Sequence, residues 1–493
     1  MRAVLWYNTK KRKESDLTMK RSSGVLMPVS ALWGDYSEGG FGKAAKEWID
    51  FLADTGFSLW QTLPFCLPDE CNSPYKSFSA FSGNPYFIDP ETLFEKGLLT
   101  REELAGAKQK TPYYCEFDRL EKERLPLLMK AAKRFGNDPA IGTFFASHPE
   151  TERFCNFMAL RRANAEKPWN EWTVTEPDAD TLLLWRFAEY EFFTEWKEIK
   201  AYANEKGIKV IGDIPIYVAW DSADVWSDPG EFLLDEKYLP REVAGVPPDY
   251  FCEDGQLWGN PLYDWDKMEK NGFKWWKKRA SFMAECFDGV RIDHFRGFES
   301  YFAIPANEKT AKNGVWKKGP GMALIRALKE AAGDALLIAE DLGDITKEVR
   351  ELVDESGFPG MRVLQFGFLG DENSPHLPHN YDNNCIAYTG THDNNTLLGY
   401  VWELDEATRQ TLFAYVGHKG DIHTCYDPIL REMFASHAGL LILPVQDLLL
   451  YGADTRFNVP GRSEGNWCYR LERSQLDRID RNKFRNWNRL YGR

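Results

Sequence analysis

No segment of the 493-residue chain reaches the roughly 18 consecutive apolar residues that a membrane-crossing helix requires. The nine cysteines are odd in number, widely spaced and free of any Cys-x-x-Cys pair. That leaves neither a disulfide framework nor a zinc site indicated, and it fits a reducing, cytoplasmic setting. Basic charge is also short: 61 Lys and Arg stand against 75 Asp and Glu, a net charge of −14. Nothing there would neutralise a run of phosphates, so nucleic acid is not an expected partner. The start carries basic residues at Lys10, Lys11, Arg12 and Lys13 but no long apolar core or small-residue cleavage site, so no export signal is read. The basic run reads as solvated charge, and Met19 stands as an alternative start. Internal repeats and low-complexity linkers are absent as well, which argues against independent tandem domains.

Aromatic residues are plentiful, with 18 Trp, 21 Tyr and 32 Phe. Such rings fill cores, and they also stack on the apolar faces of sugar rings. Eight short, nearly continuous apolar runs occupy residues 25–32, 57–65, 209–218, 289–295, 335–341, 362–368, 386–391 and 440–446. This is the pattern of parallel strands covered on both faces. Helical spacing lies between most of them. Trp276, Ala280, Met283 and Phe287 recur on one helix face before Asp288-Gly289; Leu324, Ile325, Leu328 and Ala332 do so before Gly333; Val349, Leu352 and Val353 do so before Gly357. Eight alternating units fit a doubly wound sheet or a closed (β/α)8 TIM barrel, and the strand count favours the barrel. About 140 residues separate the second run from the third, so an inserted, mostly helical subdomain is expected at about 89–180, on the C-terminal face of the strands. A second excursion at about 218–272, rich in Pro, Gly, Trp and Tyr, is expected to be a long ordered loop over the barrel mouth. The expected organisation is a single elaborated barrel over 1–493.

Chemistry in such a barrel sits where strands end and loops begin, and three of the runs end in a carboxylate. Period-two spacing puts Arg291 and Asp293 on one face; Glu340 follows Leu336 and Ile338 on another; a third run ends in His392-Asp393. Strand-end acids often cap helices or pair with arginines. Three on separate strands, with an arginine two before the first and a histidine before the last, favour catalysis instead. An Asp and a Glu ~5 to 5.5 Å apart are the equipment of a retaining glycosidase. Two carboxylates at that distance repel by about 3 kcal/mol at an effective dielectric of ~20, roughly 2 pK units. One can then stay protonated near neutral pH. Arg291 beside Asp293 would keep that acid ionised, leaving Glu340 as the proton carrier.

Several motifs together resemble one family: Gly289-Val-Arg-Ile-Asp-His-Phe-Arg-Gly297, Ala339-Glu-Asp-Leu-Gly343, Thr389-Gly-Thr-His-Asp-Asn394, Leu443-Pro-Val-Gln-Asp-Leu448 and Arg456-Phe-Asn-Val-Pro-Gly461. The chain is similar to the 4-alpha-glucanotransferases (amylomaltases, or disproportionating enzymes) of the α-amylase clan, from Leu26-Met-Pro-Val-Ser30 to Asn466-Trp467. The resemblance implies Asp293 as nucleophile, Glu340 as general acid/base and Asp393 as transition-state stabiliser. It implies that Ser73, Pro74 and Tyr75 belong to a donor-side loop, with Tyr75 stacking on the glucose being transferred. Asp213, Arg291, His294, His392 and Asn458 are implied to hold sugar hydroxyls, and Gln256 and Trp258 to lie in a loop covering the acceptor side. The alternative to acceptor stacking is that Trp258 packs that loop against the barrel. The implied substrates are α-1,4-glucans and maltooligosaccharides, with no cofactor. The same three acids could serve hydrolysis, so an α-1,4-glucan hydrolase stays open as the rival.

Two positions depart from the family: Lys76 stands where many members have Gln, and Phe457 where many have Met. Tyr217-Val218 occupy the places where amylase relatives carry an Asn-His pair associated with calcium, so no metal is implied. The short stretch after the eighth run leaves no C-terminal β-sandwich expected. His376 and His379 have the spacing of a metal pair but lack a third ligand. Gly39-Gly40-Phe41-Gly42 lacks the Lys-Ser/Thr of a phosphate loop. It reads either as a plain turn or as one that grips a glucan chain.

Overall fold

The computed structural model describes residues 20–248 and 253–493. The basic run at Lys10–Lys13, Met19 and Cys252 lie outside the described residues. Eight parallel strands close a barrel: β1 Ser22–Leu26, β2 Leu59–Gln61, β3 Lys209–Ile214, β4 Gly289–Ile292, β5 Leu336–Ala339, β6 Gly360–Val363, β7 Cys385–Tyr388 and β8 Leu440–Pro444. Each strand pairs with the next in sequence, and β1 closes onto β8 with Ser22 opposite Leu440 and Leu26 opposite Pro444. The strand interiors are buried on both sides, as in Val25, Leu26, Ile338, Ile386 and Leu441, which is why the sequence shows unbroken apolar runs. The fold is therefore the expected (β/α)8 barrel.

The apolar runs overshoot the strands at their C-terminal ends. Residues 27–32 leave β1 through a short 3-10 turn, and after β6 and β8 the chain goes directly into the short helices Leu364–Gly367 and Val445–Leu449. Val29, Leu32, Leu364 and Val445 are nevertheless buried, because further layers of chain cover the barrel mouth. Apolarity there records burial under those layers and not β-structure.

Helices fill the long connection between β2 and β3, among them Pro90–Glu95, Arg101–Ala107, Leu125–Phe135, Pro139–Ser147 and Pro149–Ala163. The 27-residue helix Ala179–Glu205 then returns the chain to β3. Its Trp196 is buried against Phe41, Phe65 and Phe287, with the closest ring pair, Phe65–Trp196, 4.6 Å apart and edge to face. This helix thereby ties the insertion to the barrel wall. Its buried Glu189 and Glu195 accept the backbone N–H groups of Gly83 and Asp89, both at 2.9 Å. Those bonds fix the segment that follows the Ser73–Tyr75 turn.

The excursion at 218–272 is more than a loop. Its strands Glu242–Val246 and Gln256–Pro261 join Ser300–Pro305 and Val315–Lys318, which follow β4, in a four-stranded antiparallel sheet. Val243, Phe302, Ile304 and Ala311 give this sheet a small core of its own. Gln256–Pro261 and Val315–Lys318 are edge strands with mostly exposed side chains, so they carry little of the hydrophobic alternation by which strands are read. Gly39–Gly42 is a close-packed turn. A Cβ on Gly40 would lie 2.6 Å from the Phe87 carbonyl oxygen, and one on Gly42 would lie 2.4 Å from the Asp89 carboxyl group. No helix among the described residues is long and apolar enough to cross a membrane.

Candidate active site

Four neighbouring or facing strands deliver the polar groups to the barrel mouth. Asp213 near the end of β3 is in register with Arg291 on β4. The Arg291 Nη1 donates to both Asp213 oxygens at 2.8 and 2.7 Å, and its Nη2 donates to Asp293 Oδ1 at 2.8 Å. The shared face of Arg291 and Asp293 is thus realised as an ion pair. Burial alone would lower the Arg291 pKa, but the Asp213 and Asp293 carboxylates hold it well above the usual arginine range. The Asp213 side chain is fully buried while that of Asp293 is 30% exposed, so the second acid is the one that meets the cleft.

After Asp293 the chain turns sharply, with His294 in the left-handed region at φ 53°. That turn aims the His294 backbone N–H at Glu340 Oε2 (2.7 Å), while the Leu342 N–H donates to Oε1 (2.8 Å). Glu340 lies one residue past β5. Burial pushes its carboxyl group up to about 7, and the negative charge of Asp293 adds to this; Arg291 and the two N–H donors work against it. The acid is therefore poised between its protonated and ionised forms near neutral pH.

β7 presents His392 and Asp393. Burial would raise Asp393, but the charge of His392 and hydrogen bonds from His392 and Asn458 hold it well below the usual carboxylate range. Asn458 Nδ2 donates to Asp393 Oδ1 at 2.6 Å, and His392 Nε2 lies 3.3 Å from Oδ2. The Tyr75 hydroxyl donates to Asp213 Oδ2 at 2.7 Å and lies 2.9 Å from His392 Nε2. Its ring stacks on the imidazole, with centroids 5.2 Å apart and planes 20° from parallel. Arg291, Asp213, Tyr75, His392, Asp393 and Asn458 thus form one connected polar network across the mouth. Ser73 supports it from the side, its hydroxyl accepting the Tyr75 backbone N–H at 3.2 Å.

Trp258 stands on the opposite wall, edge to face with the His294 ring at 4.9 Å, its indole N–H donating to Gln256 Oε1 at 3.1 Å. Burial, with Arg296 adding, lowers the His294 imidazole to about 4 against the pull of Asp293. It is neutral at pH 7, and its buried Nε2 has no hydrogen-bond partner among the described residues. The open cleft between these walls measures about 410 Å³ and is lined by Tyr75, Trp258, Asp293, His392, Asp393 and Asn458, among others. That lies within the range of roughly 300 to 1,000 Å³ common for small-molecule sites.

Sequence reasoning gave no site role to several groups that shape this site. Tyr217 lines the cleft, and the Trp467 ring lies 5.8 Å from both Tyr75 and His392. Asp447, just past β8, is buried and accepts from Thr389 Oγ1 at 2.5 Å and from the Leu397 N–H at 2.8 Å. It thereby anchors both ends of the loop that carries His392 and Asp393. Its signal was an acid inside an apolar segment, which only chemistry or a buried hydrogen bond accounts for. The His376 and His379 rings have separate partners, the Val363 N–H for one, and the Tyr415 hydroxyl and the Glu372 carbonyl for the other. Among the described residues no group of three or more His, Cys, Asp or Glu is placed to hold a metal ion. Incubation with EDTA is expected to leave activity and melting temperature unchanged. A loss restored by calcium would contradict this.

The model of glycoside hydrolase family 77, described as 4-alpha-glucanotransferase, matches residues 27–476. A 4-alpha-glucanotransferase of Streptococcus pneumoniae serotype 4 is 43% identical over 477 residues, covering 93% of this chain and 94% of its own length. One of Clostridium butyricum is 42% identical over 490 residues, covering 95% and 100%. Among solved structures, the amylomaltase of Streptococcus agalactiae in complex with acarbose superposes with a TM-score of 0.91 at 36% identity, covering 96% of this chain and 100% of that one.

Proposed function

The chain belongs to glycoside hydrolase family 77, the 4-alpha-glucanotransferases, and from that premise we propose how its residues divide the work on α-1,4-glucans. Enzymes of this family retain the anomeric configuration, which requires two displacements at the sugar carbon. Asp293 attacks the anomeric carbon while Glu340 protonates the departing glycosidic oxygen, forming a covalent glucosyl–enzyme. Glu340, now ionised, takes the proton from the 4-hydroxyl of an acceptor glucan, whose oxygen displaces Asp293. Asp393, His392 and Asn458 hold hydroxyls of the reacting ring, while the buried Asp213 and Arg291 hold Tyr75 and Asp293 in place and the neutral His294 packs against Trp258. Tyr75 flanks the donor side; Gln256 and Trp258 flank the acceptor side.

The observation that carries this reading is the unequal treatment of two acids. Asp293 has a guanidinium hydrogen-bonded to it at 2.8 Å, whereas burial pushes Glu340 up to about 7. One is equipped to attack and the other to shuttle a proton. Membership of the transferase family also decides between transfer and hydrolysis. Water competes everywhere, so an acceptor wins by being held in line, where positioning can match effective molarities of ~10⁵ M or more.

A pH profile tests the assignment. Glu340 must be protonated for the first step, and a raised pKa keeps it so up to about 7. The kcat/KM for a maltooligosaccharide donor is expected to fall tenfold per pH unit well above that value. In Glu340→Gln the residual rate should lose this alkaline limb. A limb that persists unchanged in the variant would assign the proton to another group.

A further inference from the structure

Beside Trp258 the catalytic cleft adjoins a second hollow of about 250 Å³, and Asp69, Lys76, Trp258 and Asn260 line both. A glucan longer than the cleft must leave it somewhere, and the neighbouring hollow lies directly beside its wall. Two half-buried aromatic rings form the walls of the hollow, Trp220 and Phe78. Trp220 is fixed: its indole N–H donates to the Tyr238 carbonyl at 2.8 Å, and its ring lies 6.3 Å from that of Trp169. Phe78 carries the Arg161 guanidinium 4.9 Å above its ring.

The polar rim has both signs: Lys76 pairs with Glu70 at 3.0 Å and Arg161 with Asp221 at 3.3 Å, while the Asp69 carboxylate accepts the backbone N–H groups of Cys71 and Ser73 at 2.8 and 2.9 Å. Such a rim offers hydrogen bonds with only one carboxylate in excess, which suits a neutral polyol better than an anion. Rigid aromatic faces between hydrogen-bonding groups are what a pyranose, apolar on its faces and polar at its edge, requires. We propose that this hollow is an additional glucosyl-binding subsite, taking a unit of the acceptor chain beyond the one that meets Trp258, with Trp220 as its platform. The proposal rests on the reading above of Trp258 as an acceptor-side residue. It makes the enzyme sensitive to acceptor length, and it places Lys76, the departure noted in the sequence, at the junction of the two cavities.

The test measures transfer from one fixed donor to glucose, maltose, maltotriose and maltotetraose. In Trp220→Ala the ratio of kcat/KM for maltotetraose to that for glucose is expected to fall about tenfold, the loss of one ring contact, and to appear in KM. Trp220→Phe, which keeps an aromatic face, should recover most of the ratio. An equal loss on every acceptor, with a lower melting temperature, would mean that Trp220 only packs the wall and would overturn the proposal. So would an unchanged length preference. Trp258→Ala, run in parallel, isolates the underlying reading: it should raise the ratio of hydrolysis to transfer. If that ratio stays fixed, the acceptor-side reading fails whatever Trp220 does.

Discussion

Asp293→Asn is expected to lose turnover on every donor, by a factor of about 10⁴ or more, while Glu340→Gln loses it selectively. On the division of labour proposed above, no covalent glucosyl–enzyme can form without the Asp293 carboxylate, whatever the leaving group. Glu340→Gln retains the nucleophile and lacks only the proton. A glucosyl or maltosyl fluoride, whose leaving group needs little protonation, should therefore still glycosylate the variant, whereas maltotriose should not. Both substitutions are close in size to the native residue. The Glu340→Gln amide has one oxygen to accept either the His294 or the Leu342 N–H group and turns its NH2 toward the other, so a fall in melting temperature accompanies it. The same donor dependence in both variants would reverse or dissolve the division of labour.

The second large effect concerns Arg291. Its side chain is 5% exposed, and that of Asp213, which takes both of its Nη1 contacts, is fully buried. Arg291→Met would strand the Asp213 charge in the barrel, held then by the Tyr75 hydroxyl and the nearby charge of His392. Removing one partner of such a pair costs about 3 to 5 kcal/mol, which a chemical-denaturation midpoint would read. Arg291→Lys should recover only part of this, because one ammonium cannot reach both carboxyl groups in the planar fork that a guanidinium provides. Loss of the guanidinium also removes the charge that holds Glu340 down, so the alkaline limb of the residual activity should move to higher pH. A stability within about 1 kcal/mol of the parent would show that the Arg291–Asp213 pair contributes little to the fold.

The barrel was legible because every one of its strands is buried on both faces and so writes an apolar run into the sequence. Their ends were not legible: Val29, Leu364 and Val445 stay buried after the strands stop, under layers that only the folded chain reveals. The accessory sheet escaped for the opposite reason, since exposed edge residues such as Gln256, Leu257 and Lys318 need no apolar alternation. In the site, local spacing sufficed for Arg291 with Asp293, two residues apart on one strand. It said nothing of the hydrogen bonds from Tyr75 to Asp213 and His392, which join residues 138 and 317 positions apart. The family resemblance supplied those residues by name; their connection into one network follows from the strand order around the barrel. Trp220 and Phe78 carried no motif at all, and only the adjacency of two cavities singles them out.

The most direct measurement of the central claim is to trap the intermediate. Glu340→Gln, incubated with a maltosyl fluoride and quenched in acid, should accumulate the covalent adduct, because the second step lacks its base. Digestion and mass spectrometry are expected to find one maltosyl mass increment on the peptide that contains Gly289–Ile292 and to locate it at Asp293. An adduct on Asp393 or elsewhere, or fluoride release with no adduct in this variant, would contradict the account.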